Sequence, residues 1–299
     1  MSGGKLRELR RRVQSIKDIQ QTTQAMKLVA AAKLRRAQDA IVKMRPFANA
    51  LNDMLSHITK AVSQDTQLVW AQPKPVKKYV LIHITSHRGL CGAYNSNLNK
   101  RARQRLQQVF QEYPELSQDD AEIITIGKKG LQFFQKEGFK TNDFFFNLVE
   151  DLTFEKAREL SQYLREKFLK GEIDLIDIVY AKFKNPAVQT YEVETFLPIK
   201  PVGQETEEKS SIEFIFEPEA NKLLGELIPW LLDQHIFRVL LDARASEHGA
   251  RMTAMDKATE NASDLLRELK IQMNKARQET ITRELAELVS GAAAQEGNY

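Results

Sequence analysis

Residues 6–44 read LRELRRRVQSIKDIQQTTQAMKLVAAAKLRRAQDAIVKM, a stretch without glycine or proline. A ladder with alternating steps of three and four residues runs through it. Its members are Leu6, Leu9, Val13, Ile16, Gln20, Thr23, Lys27, Ala30, Leu34, Ala37, Ile41 and Met44. A repeat near 3.5 residues predicts a long helix that supercoils with a partner helix. The ladder is polar only in its middle.

The other end of the chain has a stretch of the same kind. Residues 250–290 also contain no glycine or proline, and an apolar stripe is formed by Leu265, Leu266, Leu269, Met273 and Ala276. Each stretch would form a helix of roughly 60 Å at ~1.5 Å per residue, which is long for a globular protein. We therefore predict an antiparallel coiled coil of the N- and C-terminal helices.

Apolar runs that alternate with helical patterns fill the middle of the chain. We predict strands at 78–85, 122–126, 175–183, 189–197 and 212–216, and helices at 95–113, from 130 onward and at 154–169. This alternation predicts a Rossmann-like, doubly wound α/β domain, with the strands at 175–183 and 189–197 forming a hairpin at its edge.

The predicted domains are an N-terminal helical region at 1–72, the α/β domain at 73–218 and a C-terminal helix at 219–299. Within the first region, Pro46 predicts an end or a kink of the first helix, and 51–62 would be a second helical segment. In the last region, Gly225 and Pro229 predict an early bend. Residues 202–211 are polar and acidic, which predicts a surface loop.

Charge is distributed unevenly along the chain. Residues 1–45 contain twelve Lys or Arg against three acidic residues, whereas the whole chain has a net charge of only +4. The basic character is therefore confined to the first helix, whose partner we expect to be anionic. A nucleic-acid-binding arm would usually have aromatic residues among its basic ones, and here the first aromatic residue is Phe47. A membrane-surface helix would present its bulky apolar residues to the lipid, whereas this helix uses its apolar face for the coiled-coil ladder.

Composition narrows the class of protein. No apolar run approaches the roughly 18 residues of a membrane-spanning helix. The charged beginning predicts no secretory signal. The one cysteine, Cys91, excludes an internal disulfide framework and fits a reducing compartment.

Several short motifs resemble nucleotide-binding or metal-binding sites, and a purely structural role explains each of them better. The loop 88–92, RGLCG, follows a strand and precedes a helix, where nucleotide sites often lie, but it matches neither GxGxxG nor GxxxxGK[ST]. The same holds for 127–130, and we predict a structural turn at both. We expect no metal site at His83, His87 and Cys91, since a strand followed by a loop does not converge them and no fourth ligand is evident.

The residues alone leave two other functions open. A nucleic-acid-binding protein with a basic helical arm would show salt-dependent binding to DNA or RNA. A nucleotide-using enzyme would bind ATP or NAD through residues 76–218. The adjacent residues 246–248, Ser-Glu-His, are no hydrolase triad, because neighbours on a helix do not face one another.

Four motifs, in order, resemble the gamma subunits of F-type ATP synthases over essentially the whole chain. They are SIK at 15–17 continuing into TQAMKLVAAAKLRRAQ at 23–38, RGLCG at 88–92 with NSN at 95–97, ASEH at 245–248 with ARM at 250–252 and AM at 254–255, and NKARQ at 274–278 followed by IT at 281–282 and GAAA at 291–294.

That resemblance implies a rotor shaft without catalytic residues or cofactors of its own. Its partners would be the alpha and beta subunits of the catalytic head, the epsilon subunit and the c-subunit ring of the membrane sector. It would lie on the cytoplasmic face of the bacterial inner membrane, attached only through the complex and without nucleic acid. The resemblance further implies that Arg277, Gln278 and Thr282 contact the beta subunits, and that Met26 and Arg251 lie where shaft and beta subunits couple.

Overall fold

The computed structural model describes residues 2–61, 70, 74–199 and 220–296. This part of the chain divides into two compact units. Met1–Val29 with Met252–Tyr299 form one, here the helical unit, and Ala30–Arg251 form the other, here the α/β unit. The domain borders predicted at 72/73 and 218/219, the acidic loop at 202–211 and the strand at 212–216 all lie outside the described residues.

Two long helices begin and end the described chain. Helix α1 is Ser2–Ala61 and helix α5 is Ala220–Glu296. Of the two outcomes predicted at Pro46, an end of the first helix is wrong, because α1 continues through it and includes residues 51–61 of the predicted second segment. A proline inside a helix removes one backbone hydrogen bond and crowds the preceding turn, which either breaks the helix or only bends it. Helix α5 likewise includes Gly225 and Pro229.

In the helical unit the two terminal helices run antiparallel. An apolar cluster is formed by Leu6, Leu9, Val13, Ile16, Leu269, Met273 and Ala276. Three polar pairs follow it, here called the polar rungs: Gln20 with Ser263, Thr23 with Thr259, and Lys27 with Asp256. As the number in α1 rises, the number of its partner in α5 falls. The predicted antiparallel pairing is therefore confirmed.

The α/β unit is built on one five-stranded sheet. Its strands are β1 (Tyr79–Ile84), β2 (Ala121–Ile126), β3 (Lys140–Asn142), β4 (Leu175–Asn185) and β5 (Val188–Leu197), in the spatial order β3-β2-β1-β4-β5. The first four are parallel, and β5 pairs antiparallel with β4 at the edge. Both the doubly wound sheet and its edge hairpin are thus as predicted.

Helices cover both faces of this sheet. Alternate residues of β1 point to opposite sides, with Val80, Ile82 and Ile84 on one face and Tyr79 and Leu81 on the other. The first face packs against α4 (Phe154–Leu169) and the beginning of α5, and the second against α2 (Tyr94–Glu112) and α3 (Lys128–Lys136). The loops after β1 and β2 therefore emerge at the carboxyl edge of a fully covered sheet.

No helix among the described residues has the length and apolar character that crossing a membrane requires.

Candidate partner-contacting surfaces

The loop after β1, residues 85–93, is held by buried polar contacts. Ser86 donates to the carbonyl oxygen of Arg88 at 2.6 Å, and the Asn95 amide donates to the Ser86 hydroxyl at 2.7 Å. The Asn95 amide also lies 3.2 Å from the sulfur of Cys91, which is only 2% exposed. These contacts explain the predicted turn.

Leu90 stands at the tip of this loop. It has a positive φ of 63° and is 64% exposed. A non-glycine residue in this region is uncommon, and such strain concentrates at functional positions. Sequence reasoning missed Leu90, because an apolar residue between two glycines suggests only a turn.

Arg251 connects this loop to α5. Its guanidinium lies 2.5 Å from the Glu247 carboxylate, one turn earlier in the helix. It also donates to the carbonyl oxygens of Arg88 at 3.1 Å and Gly89 at 3.4 Å. Burial raises the pKa of Glu247, and the charge of Arg251 lowers it. Most hydrogen-bond donors of Arg251 are thus bonded to groups of its own chain. The resemblance predicts that this residue lies at a coupling region.

The residues with metal-like spacing lie in different surroundings. His83 is fully buried within β1, in edge-to-face contact with Phe134, and burial lowers its pKa to about 3. His87 packs on Phe146, and Cys91 lies beside Ser86 and Asn95. The described residues contain no group of three His, Cys, Asp or Glu side chains placed to hold a metal.

Met26 lies between two polar rungs of the helical unit. It is half-buried on α1, beside Lys27, whose ammonium is 2.6 Å from Asp256. The rungs replace the apolar contacts that a coiled coil usually makes at these positions. The Met26 side chain is therefore partly exposed to solvent, in a part of the helix pair that is held by polar contacts and few apolar ones.

Arg277, Gln278 and Thr282 are all exposed on α5. Gln278 and Thr282 are four residues apart and lie on the same side of the helix. Nothing in the described chain engages their side chains. They are free to contact another protein.

A second feature of the same helix is an exposed apolar stripe, formed by Ile281, Leu285, Leu288 and Val289. This spacing places the four side chains on one helix face. Between residues 277 and 290 of α5 no side chain is buried, so no other described segment covers the stripe. Contiguous exposed apolar surface marks an interaction site. Sequence reasoning missed the stripe, because apolar spacing alone does not distinguish a helix face covered by the chain from an uncovered one.

The fold defines a class of protein with two long terminal helices, paired antiparallel in one unit, and a doubly wound α/β sheet in the other. Residues 5–295 match the family model described as ATP synthase. The chain is 42% identical over 98% of its length to the ATP synthase gamma chain of Chlorobium phaeobacteroides, of which 99% is covered. It is 41% identical over 97% of its length to that of Cytophaga hutchinsonii, of which 98% is covered. The chain belongs to the ATP synthase gamma chain family.

Solved structures agree with this assignment at the level of the fold. The chain matches one from the Euglena gracilis mitochondrial ATP synthase, in an assembly described as OSCP/F1/c-ring, with a TM-score of 0.64 and 22% identity. The match covers 99% of this chain and 96% of the other. A rotor chain from the same organism matches with a TM-score of 0.58 and 21% identity, covering 93% and 99%.

Proposed function

We propose that this chain is the central rotor shaft of a proton-translocating F-type ATP synthase. It couples rotation of a membrane c-subunit ring to the conformational cycle of catalytic beta subunits, during ATP synthesis or hydrolysis. The observation that carries the proposal is family membership over nearly the whole chain, together with two terminal helices paired antiparallel.

The shaft itself performs no bond chemistry and uses no cofactor in this proposal. It acts by contacting different conformations of the head unequally, which is the only way in which a binding partner shifts an equilibrium. The basic residues of α1 favour attraction to acidic loops of the beta subunits, and attraction between exposed charges is weak and screened by salt. A rotating part benefits from such contacts, because they do not fix it in one orientation.

Five residues have assigned contacts in this proposal. Arg277, Gln278 and Thr282 make polar contacts with the beta subunits, which their exposure permits. Met26 lies at the coupling region directly. Arg251 acts there by holding the loop that carries Leu90, since its own donors are engaged by Glu247 and by loop carbonyls.

The remaining partners follow from the same role. Alpha and beta subunits surround the terminal helices, and the epsilon subunit and the c-subunit ring bind elsewhere on the chain. The complex lies at the cytoplasmic face of the bacterial inner membrane, and this chain is attached to the membrane only through it. Nucleic acid is not a partner. Salt-dependent binding of the isolated chain to DNA would contradict this point.

Reconstitution tests the proposal. The chain is mixed with alpha and beta subunits of a related bacterium, and the isolated complex is assayed for ATP hydrolysis and for rotation of a bead. We expect one copy of the chain per complex and stepwise, ATP-driven rotation. Failure to assemble with competent subunits would refute the proposal.

A matched pair of variants identifies the surface that is used. Leu288→Ser removes an exposed apolar side chain from the stripe, and Leu169→Ser removes one from the exposed end of α4. Both should leave the stability of the isolated chain within about 0.5 kcal/mol of its original value. Only Leu288→Ser should weaken assembly with the head. Equal effects of the two variants would show that the stripe is not the contact.

A further inference from the structure

A cavity of about 260 Å³ lies within the α/β unit, where four segments meet. They are α1, the loop after β1, residues 149–150 and α5. The volume is many times the ~10–15 Å³ that one water requires. It therefore has room for a small polyatomic ligand.

The charges around this cavity do not balance. Four cationic side chains line it and only two carboxylates, those of Glu150 and Glu247. The Glu247 carboxylate forms an ion pair with Arg251, and the Glu150 carboxylate lies 4.0 Å from the guanidinium of Arg88. Lys33 and Arg244, the other two cations, form no ion pair with any described residue. The cavity thus carries an excess of two positive charges from two different helices.

His248 adds an unsatisfied group to the wall. Its side chain is only 7% exposed, and its Nδ1 has no hydrogen-bond partner within the described residues. Burial lowers the pKa of His248 to about 3. The positive charges of Arg251, Lys33 and Arg244 contribute to this lowering, which places the three cations close to one imidazole. A neutral imidazole donates one hydrogen bond, so the wall offers a neutral donor among cations.

We propose that this cavity binds a free phosphate-class oxyanion, with Lys33 and Arg244 as its charged ligands and His248 as a neutral donor. A phosphoryl group carries roughly −1.5 to −2 charge near neutral pH, which matches the excess of two cations. Lysine and arginine are the usual ligands of phosphate, and their hydrogen bonds to it are charge-assisted. The bound anion joins α1 to α5, because its two charged ligands come from those helices.

Inorganic phosphate titrated into the full-length chain tests this site. Binding is followed by calorimetry and by the thermal midpoint, at an ionic strength held constant with chloride. We expect saturable binding and a midpoint that rises with phosphate and not with chloride. No saturable heat, or an equal rise with chloride, would overturn the proposal.

Variants locate the binding. Lys33→Gln and Arg244→Gln should each weaken phosphate binding at least tenfold. Lys100→Gln changes an exposed lysine of α2 outside the cavity and should leave it unchanged. Lys33 is also exposed, so its replacement does not threaten folding and keeps the test valid if Arg244→Gln misfolds. An equal loss in all three variants would mean non-specific attraction and would refute the site.

A polyglutamate peptide provides the last arm. If the peptide binds in a way that depends on Lys33 and Arg244 while inorganic phosphate does not bind, the cavity serves an acidic protein segment and the proposal is wrong. Competition of phosphate with the peptide at the same residues would support it. The isolated chain suffices for every arm, so the outcome is independent of whether the rotor function holds.

Discussion

Arg251 donates a 3.1 Å hydrogen bond to the carbonyl oxygen of Arg88, 163 positions earlier in the chain. The same guanidinium also binds the nearly buried carboxylate of Glu247. The loop after β1 is thereby fixed to α5 by one side chain. Arg251 therefore positions the loop that presents Leu90, and its expected place at the coupling region stays a prediction.

We expect Arg251→Lys to loosen this loop, because one ammonium cannot reproduce a guanidinium that bonds a carboxylate and two carbonyls at once. The free energy of unfolding should fall by about 1–3 kcal/mol. Backbone amides of residues 88–92 should exchange hydrogen faster, as measured by mass spectrometry. Arg267→Lys, at an exposed pair with Asp264 on α5, is the control and should change neither. Unaltered exchange in Arg251→Lys would leave Arg251 as a direct partner contact.

Gly130→Ala should destabilise the α/β unit by about 1–3 kcal/mol, because overpacking of a dense interior is costly. A Cβ at this position would lie 2.6 Å from Nδ1 of His83 and 2.9 Å from the Thr85 hydroxyl. Gly225→Ala is the matched control within a helix, since nothing lies within 4 Å of its added Cβ. There we expect a gain of about 0.5–1 kcal/mol from helix propensity. Chemical denaturation measures both, and effects of the same sign would contradict the packing argument.

Asp242 should make stability depend on pH. Burial raises its pKa to about 6, an effect that the positive charges of Arg238, Lys182 and Arg45 reduce and that of Glu194 increases. A carboxyl with a raised pKa in the folded state keeps its proton longer there than in the unfolded chain. Its contribution to stability therefore falls as pH rises from about 4 to about 6, and stays low above that.

The variant Asp242→Asn removes this titration. We expect it to be about 2 kcal/mol more stable than the original chain at pH 7.5, with a difference that shrinks toward zero below pH 4. Urea denaturation across this pH range measures the effect. Asp264→Asn, an exposed position on α5, should show no such pH dependence. A stability difference for Asp242→Asn that is constant with pH would exclude the titration as its cause.

Met26→Lys should uncouple ATP hydrolysis from proton pumping in the reconstituted complex. A cation at this half-buried position would strengthen the attraction between the shaft and acidic loops of the beta subunits. The stronger contact would hold the shaft in one orientation and hinder its rotation. The measurement is proton pumping per ATP hydrolysed in vesicles, with Met26→Leu as the control that keeps size and lacks charge. Pumping per ATP that stays at the original value in Met26→Lys would contradict the expectation.

Periodicity predicted the regular elements well, because each buries a continuous face. The predicted helix at 154–169 agrees with α4 at both ends. Strand β3 was missed, because Lys140–Asn142 is three residues long and polar, and only its pairing with β2 defines it. The continuity of α1 with the segment predicted as a second helix was left open, since a proline in the sequence predicts an end and a kink alike.

Prediction of the site was less complete, because contacts between distant segments have no local signature. The bonds from Arg251 to the loop span more than half the chain. The exposure of Ile281 and Leu285 depends on which segment covers α5, and apolar character alone does not separate these two residues from buried Leu269. Family resemblance supplied the five partner-contacting residues, and their contacts stay predictions.

The burial of Cys91 has a practical consequence for chemical labelling. It is the one thiol in the chain, and it is 2% exposed against Ser86 and Asn95. A thiolate must reach its reagent to react, so a maleimide should modify this sulfur slowly in the folded protein. A cysteine introduced at an exposed position such as Lys100 should then take up a fluorophore or bead selectively, without prior removal of the native thiol.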